Sequence, residues 1–313
     1  MGVRGAERIR AFHFPPMRLP QLGIGISFQA TLVDFVFDHA DAFDFIEVIP
    51  DTLWRDHGRG EQPRYSVDDE LAALTQRLAQ RKPLVAHSIG LSIGTASRFD
   101  EEHVEQLAAW RQRCPLVWHS DHLCAMHAQH HTGREINVGL MMPLPCDAEA
   151  LELLKRRVNA VQSRVDLPFL LENNTNYFHV PEEEMTEPEF LNRLTHETGC
   201  GLLVDLHNLY TNSRNHGFDP YCYLSALDLT QVGEIHLAGG YEAEGLYIDA
   251  HDGPCPEALW PMLDWVLARA PQTGGVVYEV FNTNYPDLGP SGLLAQLARA
   301  REIWNRHLPH AAS

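Results

Sequence analysis

Ionisable and polar side chains recur at the ends of short apolar runs in this chain of 313 residues. If the fold brings these carboxylates and imidazoles together in one buried site, each unpaired ion would destabilise the protein by several kcal/mol. Divalent cations commonly bind such groups and compensate their charge. Imidazole with carboxylate suits zinc, iron or manganese, whereas all-oxygen sites suit magnesium or calcium. The candidates are Glu47, His87, His119, Asp121, His122, Glu172, Asp205, His207, Asn208, His236 and Glu279, with Asp249, His251 and Asp252 in a later loop.

The size of this set indicates more than one metal ion. A single zinc or iron site uses three or four protein ligands, and this mouth offers many more. Two-metal sites need a ligand that reaches both ions, and a carboxylate such as Glu172 can bridge them. For any single histidine, a hydrogen-bonding role inside the fold is an equally good interpretation, so the number of candidates carries the argument.

Eight apolar runs alternate with longer segments whose apolar residues recur at helical spacing. This pattern predicts a (β/α)₈ TIM barrel, with a doubly wound sheet as the alternative. We expect one domain over residues 1–313 with an irregular N-terminal extension over 1–20, and helix N-caps at Asp147 and Ser291. The runs, whose carboxyl ends would form the active-site face, are 22–27, 43–49, 83–89, 115–121, 167–173, 201–208, 232–239 and 274–280.

Composition excludes several classes of protein. The chain is 44% hydrophobic and 21% charged, which is typical of a globular protein. Its formal net charge of −18 repels phosphate backbones, so we expect no nucleic-acid partner. No apolar run approaches ~20 residues, so we expect no membrane span. Without a secretory h-region, and with six cysteines but no CxxC pair, we expect a cytoplasmic chain with reduced thiols.

Five local motifs together resemble one protein family. They are HSIGLSIG (87–94), SDHL (120–123), LLEN (170–173), LLVDLHNLYTNSRNHGFDP (202–220) and EIHLAGG…IDAH (234–251). The combination is similar to the multinuclear non-haem iron-dependent oxidative enzymes, which include methanobactin-type and 3-thiaglutamate-type peptide-modifying enzymes. The order of the ligands also resembles the trinuclear site of the endonuclease IV-like barrels. Both groups imply a xylose isomerase-like TIM barrel.

The resemblance implies three metal positions. The first would be held by His87, His122 and Glu172. Glu172 would bridge to the second, which adds Asp205, His236 and Glu279. The third would be held by Asn208, Asp249 and His251, and it should be the most labile, since a neutral amide binds more weakly than imidazole.

The resemblance also implies an activity. It suggests two or three iron ions (Fe²⁺/Fe³⁺), with dioxygen as co-substrate, in the oxidation of a residue of a ribosomally made precursor peptide. The residue would most often be Cys. A small partner protein that recognises the leader peptide is common in the family, and an acidic surface would suit a basic leader.

Several positions depart from the family pattern or have roles of their own. Asp51-Thr52 stands where the family tends to have Glu-Asn, and Val280-Phe281 where Arg-Asp is frequent. We select Asp121, Glu47 and His207 as candidate catalytic residues: Asp121 to orient an imidazole from behind, Glu47 to contact substrate or pair with a cation, and His207 because Asn is common there.

Three alternative functions stay open at this point. The first is a zinc phosphodiesterase of the endonuclease IV kind, against which the net charge and Asn208 argue. The second is a manganese- or magnesium-dependent sugar isomerase or epimerase, against which the surplus of histidines argues. The third is a non-enzymatic metal-binding or partner-binding protein.

Overall fold

The computed structural model describes residues 17–180 and 183–308 and shows a closed barrel of parallel strands. Each strand pairs with its neighbours in the chain, and the last pairs with the first, so the predicted TIM barrel is confirmed. The barrel strands are β1 (Gly23–Ser27), β2 (Phe45–Val48), β3 (Leu84–Ser88), β4 (Leu116–His122), β5 (Phe169–Glu172), β6 (Gly201–Asp205), β7 (Val232–Leu237) and β8 (Gly275–Tyr278).

Helices surround the barrel. The predicted N-cap at Asp147 is confirmed, since its carboxylate accepts the N–H of Ala150 at 2.7 Å. Ser291 is not a cap: the last helix is interrupted at Gly289 (φ 64°) and Pro290 follows, so Ser291 lies inside the second part. The helices are α1 (Val33–Asp38), α2 (Asp69–Ala79), α3 (Glu101–Arg111), α4 (Ala148–Val165), α5 (Glu187–Thr198), α6 (Leu206–His216), α7 (Pro220–Ala226), α8 (Leu259–Leu267) and α9 (Tyr285–His307).

The core has two layers. The larger one lies between the strands and the helices and includes Trp110, Phe190 and Trp304. The smaller one fills the barrel interior and consists of Phe45, Val85, Trp118, Leu170, Leu203 and Val277. Gly25 and Gly275 make room for the Phe45 ring, because a Cβ at either position would lie 2.5 Å from it. The interior layer therefore closes the barrel below the carboxyl ends of its strands.

Three two-stranded hairpins interrupt the βα loops. They follow β2, β4 and β7 and pair Trp54–Asp56 with Tyr65–Val67, Ala125–Gln129 with Glu135–Met142, and Gly240–Ala243 with Leu246–Asp249. The hairpins extend the face that carries the candidate ligands. Most of the expected N-terminal extension lies outside the described residues, and 17–20 have no regular secondary structure. None of the described helices has the length and apolar character that crossing a bilayer requires.

Candidate metal centre

The candidate ligands stand one step above the interior core layer. Successive side chains of a strand point to opposite faces, so a residue two positions past an inward apolar residue also points inward. That relation joins Phe45 to Glu47, Val85 to His87, Leu170 to Glu172, Leu203 to Asp205 and Val277 to Glu279. Strand register then places His122 beside Glu172 and Asp205 beside His236. The alternation therefore directs these groups into one space at the mouth of the barrel.

Two imidazoles face one carboxylate oxygen of Glu172. The Nε2 atoms of His87 and of His122 each lie 3.3 Å from Glu172 Oε2, and all three residues are largely buried. The other ring nitrogens are occupied. His87 Nδ1–H donates to Ser120 Oγ at 2.9 Å, and the Ser120 hydroxyl donates to the carbonyl of Ala86.

The second imidazole has the same arrangement. His122 Nδ1 lies 3.4 Å from the carbonyl oxygen of Ser88, so Nδ1 is the protonated nitrogen there as well. Both Nε2 atoms consequently direct lone pairs at a carboxylate oxygen. Two lone pairs and an anionic oxygen repel one another unless a proton or a cation lies among them. The group His87, His122 and Glu172 thus has the geometry of a metal site.

A second group surrounds His236. Its Nε2–H donates to Glu47 at 3.0 Å, and its Nδ1 lies 3.2 Å from Glu279 Oε2. This is the carboxylate–histidine arrangement in which the rear carboxylate fixes the tautomer and the orientation of a metal-binding imidazole. His236 also lies within 4.8 Å of donor atoms of Glu172 and of Asp205. Glu172 therefore belongs to two groups, as a bridging ligand requires.

Asp205 ends β6 and begins α6. One carboxylate oxygen, Oδ1, caps the helix by accepting the N–H of Asn208 at 2.7 Å, which leaves Oδ2 for the centre. The Asn208 amide nitrogen donates to Glu172 Oε1 at 3.1 Å and to the carbonyl of Asn173. Its amide oxygen accepts the Thr175 hydroxyl, which also lies 3.3 Å from Asp249 Oδ2. Asn208 thus connects Glu172 with Thr175 and, through Thr175, with Asp249.

The outer group contains Asp249, His251 and His207. The Asp249 Oδ1 atom lies 3.0 Å from His207 Nδ1 and 3.0 Å from His251 Nε2. Tyr177 holds the backbone of Asp249 by accepting its N–H at 3.1 Å. Of the three, His207 is fully buried. His207 is thus in direct contact with Asp249, which the sequence did not indicate. From this position it can orient Asp249 or supply a metal ligand itself.

Four buried atoms that could bind metal make no hydrogen bond, and they lie together at the centre of the mouth. They are Glu172 Oε2, Asp205 Oδ2, His236 Nδ1 and His251 Nδ1. Unpaired buried polar atoms are rare in native proteins and need an explanation such as an ion. Four of them from one constellation of nitrogen and oxygen donors fit a multinuclear metal centre of the kind that imidazole and carboxylate ligands form.

The electrostatics lead to the same conclusion. Burial raises the pKa of the Glu172 carboxyl well above its ordinary value, and burial together with neighbouring imidazoles lowers the pKa of His87 well below its own. Burial also lowers the pKa of His122 to about 4. For His251 burial acts downward, but Asp249 and Glu279 outweigh it and raise the pKa to about 10. The cluster of carboxylates needs positive charge, which protons or metal ions can supply.

Two of the three residues selected as catalytic candidates contact potential ligands. Glu47 contacts His236 and His207 contacts Asp249, so both are placed to orient other side chains. Asp121 alternates with Ser120 and His122 along β4 and therefore lies on the opposite face of the strand. It is fully buried there, and burial followed by the charge of Asp51 raises its pKa well above the ordinary value.

Ser120 and Thr175 are site residues that reasoning from the sequence missed. Ser120 lies between Trp118 and His122 on the inward face of β4, so the alternation of the strand was the available signal. Thr175 follows β5 by three residues in an irregular segment, and no periodic pattern indicates its direction.

The centre opens into a cavity of about 250 Å³. His87, His122, Glu172, Asp249 and Glu279 line it on the polar side. The remaining wall is largely apolar and includes Ile49, Ile89, Met141, Val280 and Phe281. Phe281 stacks on the His251 ring with centroids 4.5 Å apart, which restricts access of water to that imidazole. The fold and this site together define a TIM-barrel protein with a multi-ligand constellation able to bind metal.

Comparison with known proteins identifies the family. The family described as "RiPP precursor modification enzyme MbnB/TglH/ChrH" matches residues 23–305, and the chain belongs to it. Relatives include a UPF0276 protein of Caulobacter vibrioides, 32% identical over 262 residues, covering 83% of this chain and 86% of the relative. A UPF0276 protein of Rhizorhabdus wittichii is 31% identical over 273 residues, covering 87% and 90%.

Solved structures share the fold at low sequence identity. D-psicose 3-epimerase of Clostridium cellulolyticum H10, solved with D-tagatose, is 16% identical with a TM-score of 0.52, covering 94% of this chain and all of that one. A xylose isomerase-like TIM-barrel protein of Mycobacterium smegmatis, solved with magnesium, is 13% identical with a TM-score of 0.51, covering 76% and 80%. These likenesses confirm a xylose isomerase-like barrel, and they concern the fold alone.

Proposed function

We propose that this chain is an iron-dependent enzyme that uses dioxygen to oxidise a residue, preferably Cys, of a ribosomally made precursor peptide. The observation that carries the proposal is that four buried atoms without a hydrogen bond, from Glu172, Asp205, His236 and His251, lie together in a chain of a peptide-modifying family. We infer two or three iron ions, and a cytoplasmic setting in which the six free cysteines stay reduced.

The nature of the donors favours iron. Imidazole and carboxylate ligands without thiolate stabilise iron in both the +2 and +3 states, whereas zinc has no redox chemistry. When bound, iron would supply the electron transfer to dioxygen that side chains alone do not provide. The overall reaction balances if oxidation of the peptide releases four electrons and four protons, which reduce one dioxygen molecule to two water molecules.

The groups of potential ligands indicate which residues would hold each iron ion. His87, His122 and Glu172 would hold the first ion; Glu172 with Asp205, His236 and Glu279 would hold the second. The third would be held by Asn208, Asp249 and His251. The Asn208 amide oxygen, which accepts the Thr175 hydroxyl, would be the ligand atom, and His207 would orient Asp249.

The residues behind the ligands would position them. Ser120 and the Ser88 carbonyl hold the Nδ1 protons of two imidazoles, so that each Nε2 lone pair points inward. Glu47 fixes His236 in the same way through Nε2–H. The apolar wall of the cavity, including Ile89 and Phe281, would exclude bulk water and receive the side chain to be oxidised.

A peptide substrate is supported by the distribution of exposed apolar side chains. Among the described residues, the large apolar side chains that are exposed lie in segments following barrel strands β4 to β8, near the mouth. They are Val138, Leu140, Phe178, Phe218, Tyr241, Leu246 and Phe281. Such a concentration at one face is typical of a surface that binds a polypeptide. We place the precursor peptide there, together with a leader-binding partner protein if one is required.

The test combines metal loading with oxygen consumption. Protein purified without oxygen is loaded with Fe²⁺ and mixed with the peptide encoded by the small reading frame nearest to its gene, with and without the product of any adjacent partner gene. We expect oxygen uptake that depends on the peptide, and a product whose mass shows the loss of four hydrogens from the peptide. Iron-loaded Glu172→Gln should consume no oxygen under the same conditions.

The zinc-loaded enzyme separates the alternatives. Modification of the peptide, or hydrolysis of a phosphodiester, by zinc-loaded protein without oxygen would refute the oxidative proposal and favour the hydrolase. Epimerisation of ketohexoses with manganese or magnesium would favour the sugar enzyme.

A further inference from the structure

A second cavity lies beside the one that opens from the metal centre. It has a volume of about 400 Å³ and is formed by the segment after β5, the beginning of α5 and the end of α6. Asn174 lines both cavities, so they lie next to each other. Successive residues of an extended peptide are about 3.3 Å apart, so a peptide with one side chain at the metal centre can place a neighbouring one in this second cavity.

Among the described residues the lining contains no Lys or Arg, and its ionisable side chains include two carboxylates and the imidazoles of His179 and His216. Glu183 and Glu187 are its carboxylates. Burial raises the pKa of Glu187 to about 7. No cationic group among the described residues offsets this effect on Glu187, and a ligand with positive charge would do so.

The helix beginning in this wall does not offer an anion site. Glu189 N–H donates to Thr186 Oγ, and the Glu189 carboxylate accepts the Thr186 N–H in return. Pro188 has no N–H to donate. The capping box therefore uses the donors that would otherwise attract an anionic ligand at the start of α5.

One unsatisfied acceptor and two exposed aromatic rings also line the cavity. Asn176 Oδ1 is buried without a hydrogen-bond partner. The backbone of Asn176 is held in place by hydrogen bonds with Asn212 and His216. Phe178 and Phe218 are 41% and 38% exposed and line the same cavity, where their faces can contact a cation.

We propose that this cavity binds a basic side chain, Arg or Lys, of the substrate peptide next to the residue that is oxidised. The aliphatic stem would lie between Phe178 and Phe218, and the charged end would reach Glu187 and Asn176 Oδ1. This inference rests on the proposed function for the identity of the ligand as a peptide. The binding chemistry can nevertheless be tested without metal, oxygen or turnover.

The experiment measures side-chain binding to metal-free protein by methyl NMR. N-acetyl-L-arginine methylamide and the lysine analogue are titrated, with the norleucine and glutamate analogues as uncharged and anionic controls. Methyl resonances of Leu123 and Leu144 report on the cavity. Those of Leu293, in the core layer between the strands and the helices, serve as a reference. We expect the basic probes to bind at least about tenfold more tightly than norleucine, with shifts confined to the cavity.

Two variants make the test specific. Glu187→Gln keeps the shape of the side chain and should weaken binding of the arginine probe by about tenfold. Glu149→Gln is the matched control, because Glu149 is also an acidic residue in the first turn of a helix but is exposed outside the cavity. Its affinity should equal that of the wild type. Circular dichroism and thermal unfolding of each variant confirm that the fold is retained.

The proposal fails if norleucine or glutamate probes bind as tightly as arginine, if Glu187→Gln binds arginine unchanged, or if the shifts map elsewhere. Failure of the proposed function would give a different result. Basic probes would bind in the cavity, but the iron-loaded enzyme would not consume oxygen with the peptide. The two outcomes are therefore distinguishable.

Discussion

Replacement of Glu172 by Gln should change stability in opposite directions with and without metal. Glu172 Oε1 accepts the amide N–H of Asn208, and Oε2 faces the Nε2 lone pairs of His87 and His122 at 3.3 Å. In Glu172→Gln the oxygen can keep its donor, while the new amide nitrogen can donate to an imidazole. The variant then satisfies its hydrogen bonds without a cation, which the wild-type carboxylate needs.

The magnitude follows from the two states of the wild type. In metal-free protein, removal of a buried carboxylate without a compensating cation should raise the free energy of unfolding by about 1–3 kcal/mol. Each ion that binds only the folded chain stabilises it by about 2.7 kcal/mol at a hundred times its dissociation constant. Because Glu172 belongs to two groups, its loss should remove this effect for two ions, or about 5 kcal/mol.

The assay is urea unfolding of chelator-treated and of Fe²⁺-loaded protein, handled without oxygen, with iron per chain measured by mass spectrometry. Glu234→Gln is the matched control. Glu234 is fully buried in the barrel and accepts Trp118 Nε1–H at 2.8 Å, and burial raises its pKa to about 8. Its replacement should also stabilise the metal-free protein but leave the stabilisation by iron unchanged.

Two results would refute this reasoning. If Glu172→Gln retains the full number of iron ions, Glu172 is not a bridging ligand. If the metal-free variant is less stable than the metal-free wild type, the cluster does not require a cation, and the Nε2 atoms of His87 and His122 do not both direct lone pairs at Glu172.

Three further predictions address other contacts. Chelator titration of the iron-loaded wild type should release one ion before the others, and Asn208→His should abolish that early phase because imidazole binds more strongly than an amide; simultaneous release in both proteins would contradict the assignment. Glu47→Gln should weaken metal binding by about 10–100-fold in equilibrium titrations without changing the number of ions at saturation, because it loosens the orientation of His236. Asp100→Asn should lower the free energy of unfolding by about 2 kcal/mol at pH 7, because burial is outweighed by Arg64, which lowers the Asp100 pKa to about 2. A folded-state pKa below the unfolded value stabilises the protein above about pH 4, so the difference from wild type should shrink as pH falls from 4 to 2, and a constant difference would refute the assignment.

The barrel could be predicted because its strands are specified by local sequence. Each of the eight apolar runs forms a barrel strand, because buried parallel strands need continuous apolar residues that are readable without any tertiary contact. The hairpin at Ala125–Met142 was not predicted, since its apolar residues are partly exposed and do not follow one regular period. Hairpins of this kind are stabilised by the surface on which they pack, and the local sequence does not contain that surface.

The sequence by itself determined which side chains enter the mouth. A polar residue two positions after an inward apolar one must point inward, which accounts for His87, Glu172 and Asp205. Only the tertiary structure decided how these residues combine. It paired Glu47 with His236 across 189 positions, brought His207 to Asp249, and placed Asp121 on the far face of its strand. It also formed the second cavity at Glu187. The direction of a strand residue is a local property of backbone geometry, whereas a distance between two strands depends on closure of the whole barrel.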